Sequence, residues 1–246
     1  EIVHGITSFA LYGFPESHAA SFALLAYASA YLKAHHPAAF LAGLLDAWPM
    51  GFYHPATLVK DAQRHGVEVR PIDAAHSGWE CDLEPGSDGR PAVRLPLRFV
   101  AGLREETARE LVAERGHAPF AGAADLARRV RLRRAELDAL AELGALASLE
   151  PEARTRRAAL WQVSALERDP SSLFAGVAPD AGPSPLGEMS ALEETLADYR
   201  ASGITTGPQI LGHLRPGLAA RGVLTADKGQ RVPSGRTARL VGHVIV

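Results

Sequence analysis

Between Arg90 and Arg134 the chain carries eleven arginines, no lysine and five acids, a local charge of +6. A guanidinium is a planar fork that can grip two phosphate oxygens at once, so such a band is suited to holding a polyanion. A second reading fits the same residues: Glu105, Glu106, Glu110 and Glu114 stand at helical spacing and could pair with the arginines as a solvated face. Charge alone leaves both open. Catalytic spacings are missing by contrast. There is no G-x-x-x-x-G-K-[ST], no G-x-G-x-x-G after a strand-like run and no G-x-S-x-G. The strand-like runs offer no neighbouring carboxylates for two-metal phosphoryl chemistry. Cys81 is the one cysteine and cannot close an internal disulfide, and the ten histidines lack metal-ligating spacing. No catalytic residue, metal or bound cofactor is expected here, and the residues that could act would act by binding.

The sharpest local pattern is LRFVAGLREETARELVAERG, residues 97–116. It resembles the helix-hairpin-helix motif, in which an apolar-Gly-apolar-Gly hairpin turns its backbone N–H groups and a helix N-terminus toward a DNA phosphate. Val100, Gly102 and Leu103 fit the pattern. Arg104 stands at the second glycine position, where it costs the closest backbone approach but could reach a phosphate with its own side chain. An ordinary helical hairpin with a glycine turn is the plain alternative.

These residues must be positioned by helices. The spacing predicts a helix over 17–35, with Ser17 as N-cap and Pro37 closing the run; its apolar residues cover most of the circumference, so burial is expected. Further helices are expected from Pro37 to about Ala47 and from Pro55 to Arg64, stopped by Gly66. VEVRPID alternates like a short strand, and Trp79–Asp82 and Ala92–Leu95 flank a turn-rich EPGSDGRP, a hairpin signature. Helices follow at Arg104–Arg115, Gly122–Val130 and Arg133–Leu143, with Gly116 and Gly144 at stop positions. Another spans 151–167, a Pro/Gly/Ser-rich linker covers 168–188, and Ser190–Ser202 is helical up to Gly203. The tail from Gly207 reads as turns until a strand opens at Arg239. The fold class is therefore mainly α with a small β-hairpin.

The block FALYGFPESHAASFALLAYASAYLKAHHPAAFLAGLL, residues 9–45, resembles the fingers of bacterial replicative DNA polymerase alpha subunits, the C-family polymerases. Its continuation DAWPMGFYHPATLVKDAQRHGVEVRPID is more similar to the error-prone branch of that family. The resemblance implies the end of a fingers domain over 1–78, a hairpin and tandem helix-hairpin-helix region over 79–150, a helical connector over 151–235, and the first strand of a truncated OB-fold over 236–246. It places Tyr12, Gly13, Phe14, Ser17 and His18 at the turn opening the fingers helix, near incoming nucleotide and template. His18 and Lys33 are the side chains that could hold negative charge there, or else merely cap the helix. It places Gly102, Leu103 and Arg104 in the first hairpin and Leu132, Arg133 and Arg134 in the second, with Arg98 and Arg131 beside them, all toward the DNA duplex. PSSLF, residues 170–174, falls where the family carries a clamp-binding Gln-x-x-Leu-Phe peptide. Leu173 and Phe174 match, Pro170 does not, and a plain linker fits as well.

The parent would then be a Mg2+-dependent DNA-directed DNA polymerase using dNTPs, with its carboxylates in a palm that this stretch lacks. The stretch alone would be inactive. Its partners would be primer-template DNA and, through the peptide, a sliding clamp or other mutasome proteins. A helix-hairpin-helix repair protein and a helical clamp-binding adaptor are the other readings. A chain that opens on Glu1 without Met and closes at Val246 within a strand-like run is expected to be a piece of a longer one. At 246 residues, 47% hydrophobic and a net charge of −2, disordered and fibrous classes are excluded. No apolar run approaches the ~18 residues of a membrane span and no signal peptide is evident, which leads to the expectation of a bacterial cytoplasmic protein.

Overall fold

The computed structural model describes residues 2–5, 7, 16–149, 155–166, 182 and 184–242. The chain is mainly helical, with two small sheets. Helix α1 spans Glu16–His35, α2 Pro37–Asp46 and α3 Pro55–Arg64. Proline opens both α2 and α3, where its missing N–H is no loss. The His54 ring accepts the Ala56 N–H at 3.2 Å as the cap of α3, and Gly66, at φ +83°, ends the turn beyond it.

Two expectations for the first helix fail. Among the described residues the helix runs from Glu16, so Ser17 lies inside it rather than at an N-cap position. Nor is it buried: every side chain from Ser17 to His35 is exposed, Tyr27 by 72%. A circumference that is apolar all round names no face to bury. Here α2 follows directly after His36, and Lys33 of the last turn pairs with Asp61 of α3, so the contacts gather at the C-terminal end.

Strands β1 (Val69–Arg70), β2 (Asp82–Pro85) and β3 (Pro91–Arg94) form a sheet in the order β1-β3-β2. The hairpin is present, but its first strand lies three residues later than the expected Trp79–Asp82. The Asp82 carboxylate accepts the Gly78 N–H, bending the preceding residues into a turn. β3 runs antiparallel to β2, with Leu83 opposite Val93, and parallel to β1, with Val69 opposite Val93. Glu84 sits between two guanidiniums, bonding Arg94 at 2.8 Å and also Arg70. These bonds hold its carboxyl at about 2, against the opposing effect of burial.

Beyond a 3-10 turn at Leu97–Phe99 come α4 (Glu105–His117), α5 (Ala123–Arg129) and α6 (Arg134–Glu142). Gly116 is not a stop, because α4 continues through it to His117. Gly144 does end its helix, at φ +73°. Leu97, Leu111, Leu126, Leu137, Leu140 and Leu146 are fully buried and join Leu45, Val59 and Val93 in one core. Helix α7 spans Arg156–Ala165 and α8 Ala191–Ala201, the latter capped reciprocally by Ser190 and Glu193. The linker expected over 168–188 lies mostly outside the described residues.

The tail is not a run of turns. It holds α9 (Ile210–Ala220, with Pro216 inside), β4 (Val223–Leu224), α10 (Ala226–Gln230) and β5 (Arg239–Leu240). The strand at Arg239 pairs in parallel with β4, Val223 opposite Arg239.

Candidate nucleic-acid interface

Two hairpins of similar build lie back to back. In the first, Val100 and Leu103 are buried, Gly102 is left-handed at φ +75°, and Arg104 takes the N-cap position of α4. In the second, Val130 and Leu132 are buried, Arg131 stands where the glycine stood, and Arg133 takes the N-cap position of α6. The apolar pair plants each hairpin in the core and leaves the residues between to face outward. A Cβ at Gly102 would meet no atom within 4 Å, so only its backbone demands glycine. Gly102→Ala is expected to cost about 1–2 kcal/mol from the left-handed conformation alone, measurable as a lower thermal midpoint.

One carboxylate ties the hairpins together. Glu136, 1% exposed and in the first turn of α6, accepts the Arg133 backbone N–H at 2.6 Å and the Arg104 backbone N–H at 3.1 Å. It also receives the Arg104 guanidinium through Nε at 2.7 Å and Nη2 at 3.0 Å. The N-cap residues of two helices thus share one acceptor. Burial pushes this carboxyl up, but the Arg104 side chain and the two N–H groups outweigh it and hold the group at about 2. Arg104 Nη2 also donates to the Arg131 carbonyl at 3.0 Å, closing the link from one hairpin to the other.

A family profile described as "Helix-hairpin-helix motif" matches residues 66–159. Proteins named error-prone DNA polymerase match the chain almost end to end. The one from Anaeromyxobacter dehalogenans is 46% identical over all of this chain, that from Burkholderia pseudomallei 50% over 99%, and that from Bordetella parapertussis 51% over 98%. Over nearly its whole length the chain is thus similar to error-prone DNA polymerases. It spans 22–23% of the length of these relatives.

Within the chain, the arginines divide into those used inside the fold and those left over. Arg98 spans from the hairpin body to the end of α2, donating to the Asp46 carbonyl at 2.8 Å and the Trp48 carbonyl at 2.9 Å. Arg104 is committed to Glu136. Arg134 pairs with Asp138 one turn on, and Arg128 with Asp125. Arg129 holds the Ala118 carbonyl at 2.9 Å and the Glu114 carboxylate at 3.2 Å and lies over the Phe120 ring. Pairing at helical spacing along α4 comes down to Glu105 with Arg109. Arg131 and Arg133 differ. Both are exposed, and among the described residues neither guanidinium has a hydrogen bond or ion pair.

The hairpins therefore differ in charge. The first opens a helix whose first turn carries exposed Glu105 and Glu106. In the first turn of α6 the single acid is Glu136, buried and already satisfied. The positive end is the second hairpin. Glu136 and Arg129 were not singled out from sequence, yet a Glu three residues beyond the N-cap position is a helix-start signal that could have found the first.

Of the fingers residues, Tyr12, Gly13 and Phe14 lie outside the described residues. Ser17, His18 and Lys33 are exposed on α1; the His18 ring lies 4.3 Å from that of Phe22, and the Lys33 ammonium bonds Asp61 at 2.8 Å. Leu173 and Phe174 also lie outside the described residues. Burial pushes the Cys81 thiol far up, which leaves it inert as a nucleophile. Among the described residues no group of three or more His, Cys, Asp or Glu could hold a metal ion, and no helix is long and apolar enough to cross a membrane.

Proposed function

We propose that this chain is the DNA-holding portion of an error-prone DNA-directed DNA polymerase, acting in DNA damage tolerance, and that its second hairpin grips phosphates of the primer-template duplex. The observation carrying the reading is the pair Arg131 and Arg133, whose guanidiniums are exposed, have no hydrogen bond or ion pair among the described residues, and stand beside the N-terminus of α6, where the helix dipole favours an anion. The relatives' name supports the polymerase context. In this reading residues 1–78 close the fingers, 79–150 hold the duplex, 151–235 connect, and 236–246 begin an OB-fold. Nucleotide addition, with Mg2+ and dNTP, belongs to the palm of the longer enzyme, and a sliding clamp is the partner proposed for Leu173 and Phe174.

Phosphate contacts release counterions, so log affinity falls linearly with log salt by about 0.9 per contact. Arg131→Ala with Arg133→Ala is expected to lower that slope by roughly 2 on duplexes of unrelated sequence, read by fluorescence anisotropy. An unchanged slope would overturn the assignment of the hairpin.

A further inference from the structure

The lobe formed by residues 207–242 has a charge pattern of its own. It carries six cations, Arg215, Arg221, Lys228, Arg231, Arg236 and Arg239, against a single acid, Asp227. No residue in it is buried, so its cations do not secure a core. Two of them are used locally: Arg215 reaches the Val223 and Leu224 carbonyls at 3.5 and 3.4 Å, and Arg231 pairs with Asp227 at 3.1 Å. Among the described residues, the side chains of Arg221, Arg236 and Arg239 are exposed and have no hydrogen bond or ion pair. The hairpin body behaves differently, since there carbonyls and carboxylates absorb most guanidiniums.

The sheet gathers these three. β4 and β5 run parallel, and Arg239 lies directly opposite Val223. Arg221 precedes Val223 by two residues and Arg236 precedes Arg239 by three, so all three fall at the end where both strands begin. We infer that this end of the lobe is a second DNA contact, binding the phosphate backbone of duplex DNA through Arg221, Arg236 and Arg239 without reading sequence. It rests on the reading of the chain as DNA-handling, but on residues separate from the hairpins. The absence of Phe, Tyr and Trp between residues 207 and 242 decides between forms of DNA. Single-strand sites depend on aromatic side chains on which bases stack. A lobe with cations only can use phosphates only, and duplex DNA presents them most densely, one charge per about 1.7 Å of axis.

The test is the salt dependence of the 246-residue chain on a labelled duplex. The variant Arg221→Ala/Arg236→Ala/Arg239→Ala is expected to lower the slope of log affinity against log salt by roughly 2–3, equally on unrelated sequences and with an unchanged thermal midpoint. Arg90→Ala/Arg109→Ala/Arg128→Ala removes the same charge from exposed arginines that pair with Asp88, Glu105 and Asp125, and its slope is expected to change far less. An unchanged slope in the lobe variant, an equal change in the control, a change confined to single strands, or no duplex binding at low salt would each overturn the inference. The hairpin variant separates the two contacts: if Arg131→Ala/Arg133→Ala leaves the slope intact while the lobe variant lowers it, the hairpin assignment fails and this one stands.

Discussion

Glu136→Ala is expected to destabilise the chain by about 3 kcal/mol, seen as a lower urea midpoint, because it removes one partner of a buried ion pair and strands the other. Two backbone N–H groups and the Arg104 guanidinium would lose their common acceptor at once. The partial exposure of Arg104, 35% of its side chain, lets water recover some of that loss and keeps the figure at the low end. The charge matters as well as the shape. The Glu136 carboxyl sits at about 2 in the folded chain against an ordinary 4.5. A group depressed in this way contributes fully above about 4.5, and its contribution fades as pH falls from there through about 2. Glu136→Gln should therefore be less stable at neutral pH and lose less stability on acidification than the parent chain. A Gln variant with the parent's acid profile would show that other carboxylates, Glu84 among them, carry the acid response.

Asp198→Ala is expected to cost about 3–5 kcal/mol by the same logic at a different joint. One Asp198 oxygen bonds Arg156 of α7 at 2.6 Å and the other the Thr205 hydroxyl at 2.6 Å. Beside it, Lys60 of α3 is buried and donates to Gln63 at 2.8 Å and to the Gly207 carbonyl. Burial pushes its ammonium down, and the nearby Asp198 charge works against that shift. Three helices and the 204–207 turn thus meet around one carboxylate. If the loss comes from a half-buried guanidinium left without its carboxylate, replacing both partners, as in Asp198→Leu/Arg156→Met, should recover much of it. A double variant as unstable as the sum of the singles would refute the pairing account.

How far sequence foretold this structure depends on whether the deciding contact is local. Pro55 and Gly66 punctuate α3, and its bounds were legible to the residue. The first hairpin was legible because alternating apolar residues and a left-handed glycine are features of neighbours, whereas the second, with Arg131 in place of the glycine, was placed by the resemblance. The tail was misread because Gly212, Pro216 and Gly217 all argue against a helix, yet α9 forms around them. The charge count weighed pairing only at helical spacing, whereas the acceptors of Arg98 and Arg104 lie about 50 and 32 residues away. No periodicity reports such partners. Glu136 was hidden for the opposite reason: an acid in a first turn looks like surface charge.

Those distant partners give the composition a new meaning. The chain holds 23 arginines and three lysines, a bias that G/C-rich codons alone could produce. Yet Arg98 bridges the Asp46 and Trp48 carbonyls through Nη1 and Nη2, and Arg94 reaches both Glu84 carboxylate oxygens through Nε and Nη2 and the Pro71 carbonyl through Nη1. A lysine ammonium is a single point and cannot reproduce the fixed spread of a guanidinium's nitrogens. At such positions the exchange of one cation for the other breaks a fastening while leaving the net charge untouched. Mutational drift between the two residue types is thus open on the outer face and closed inside the joints.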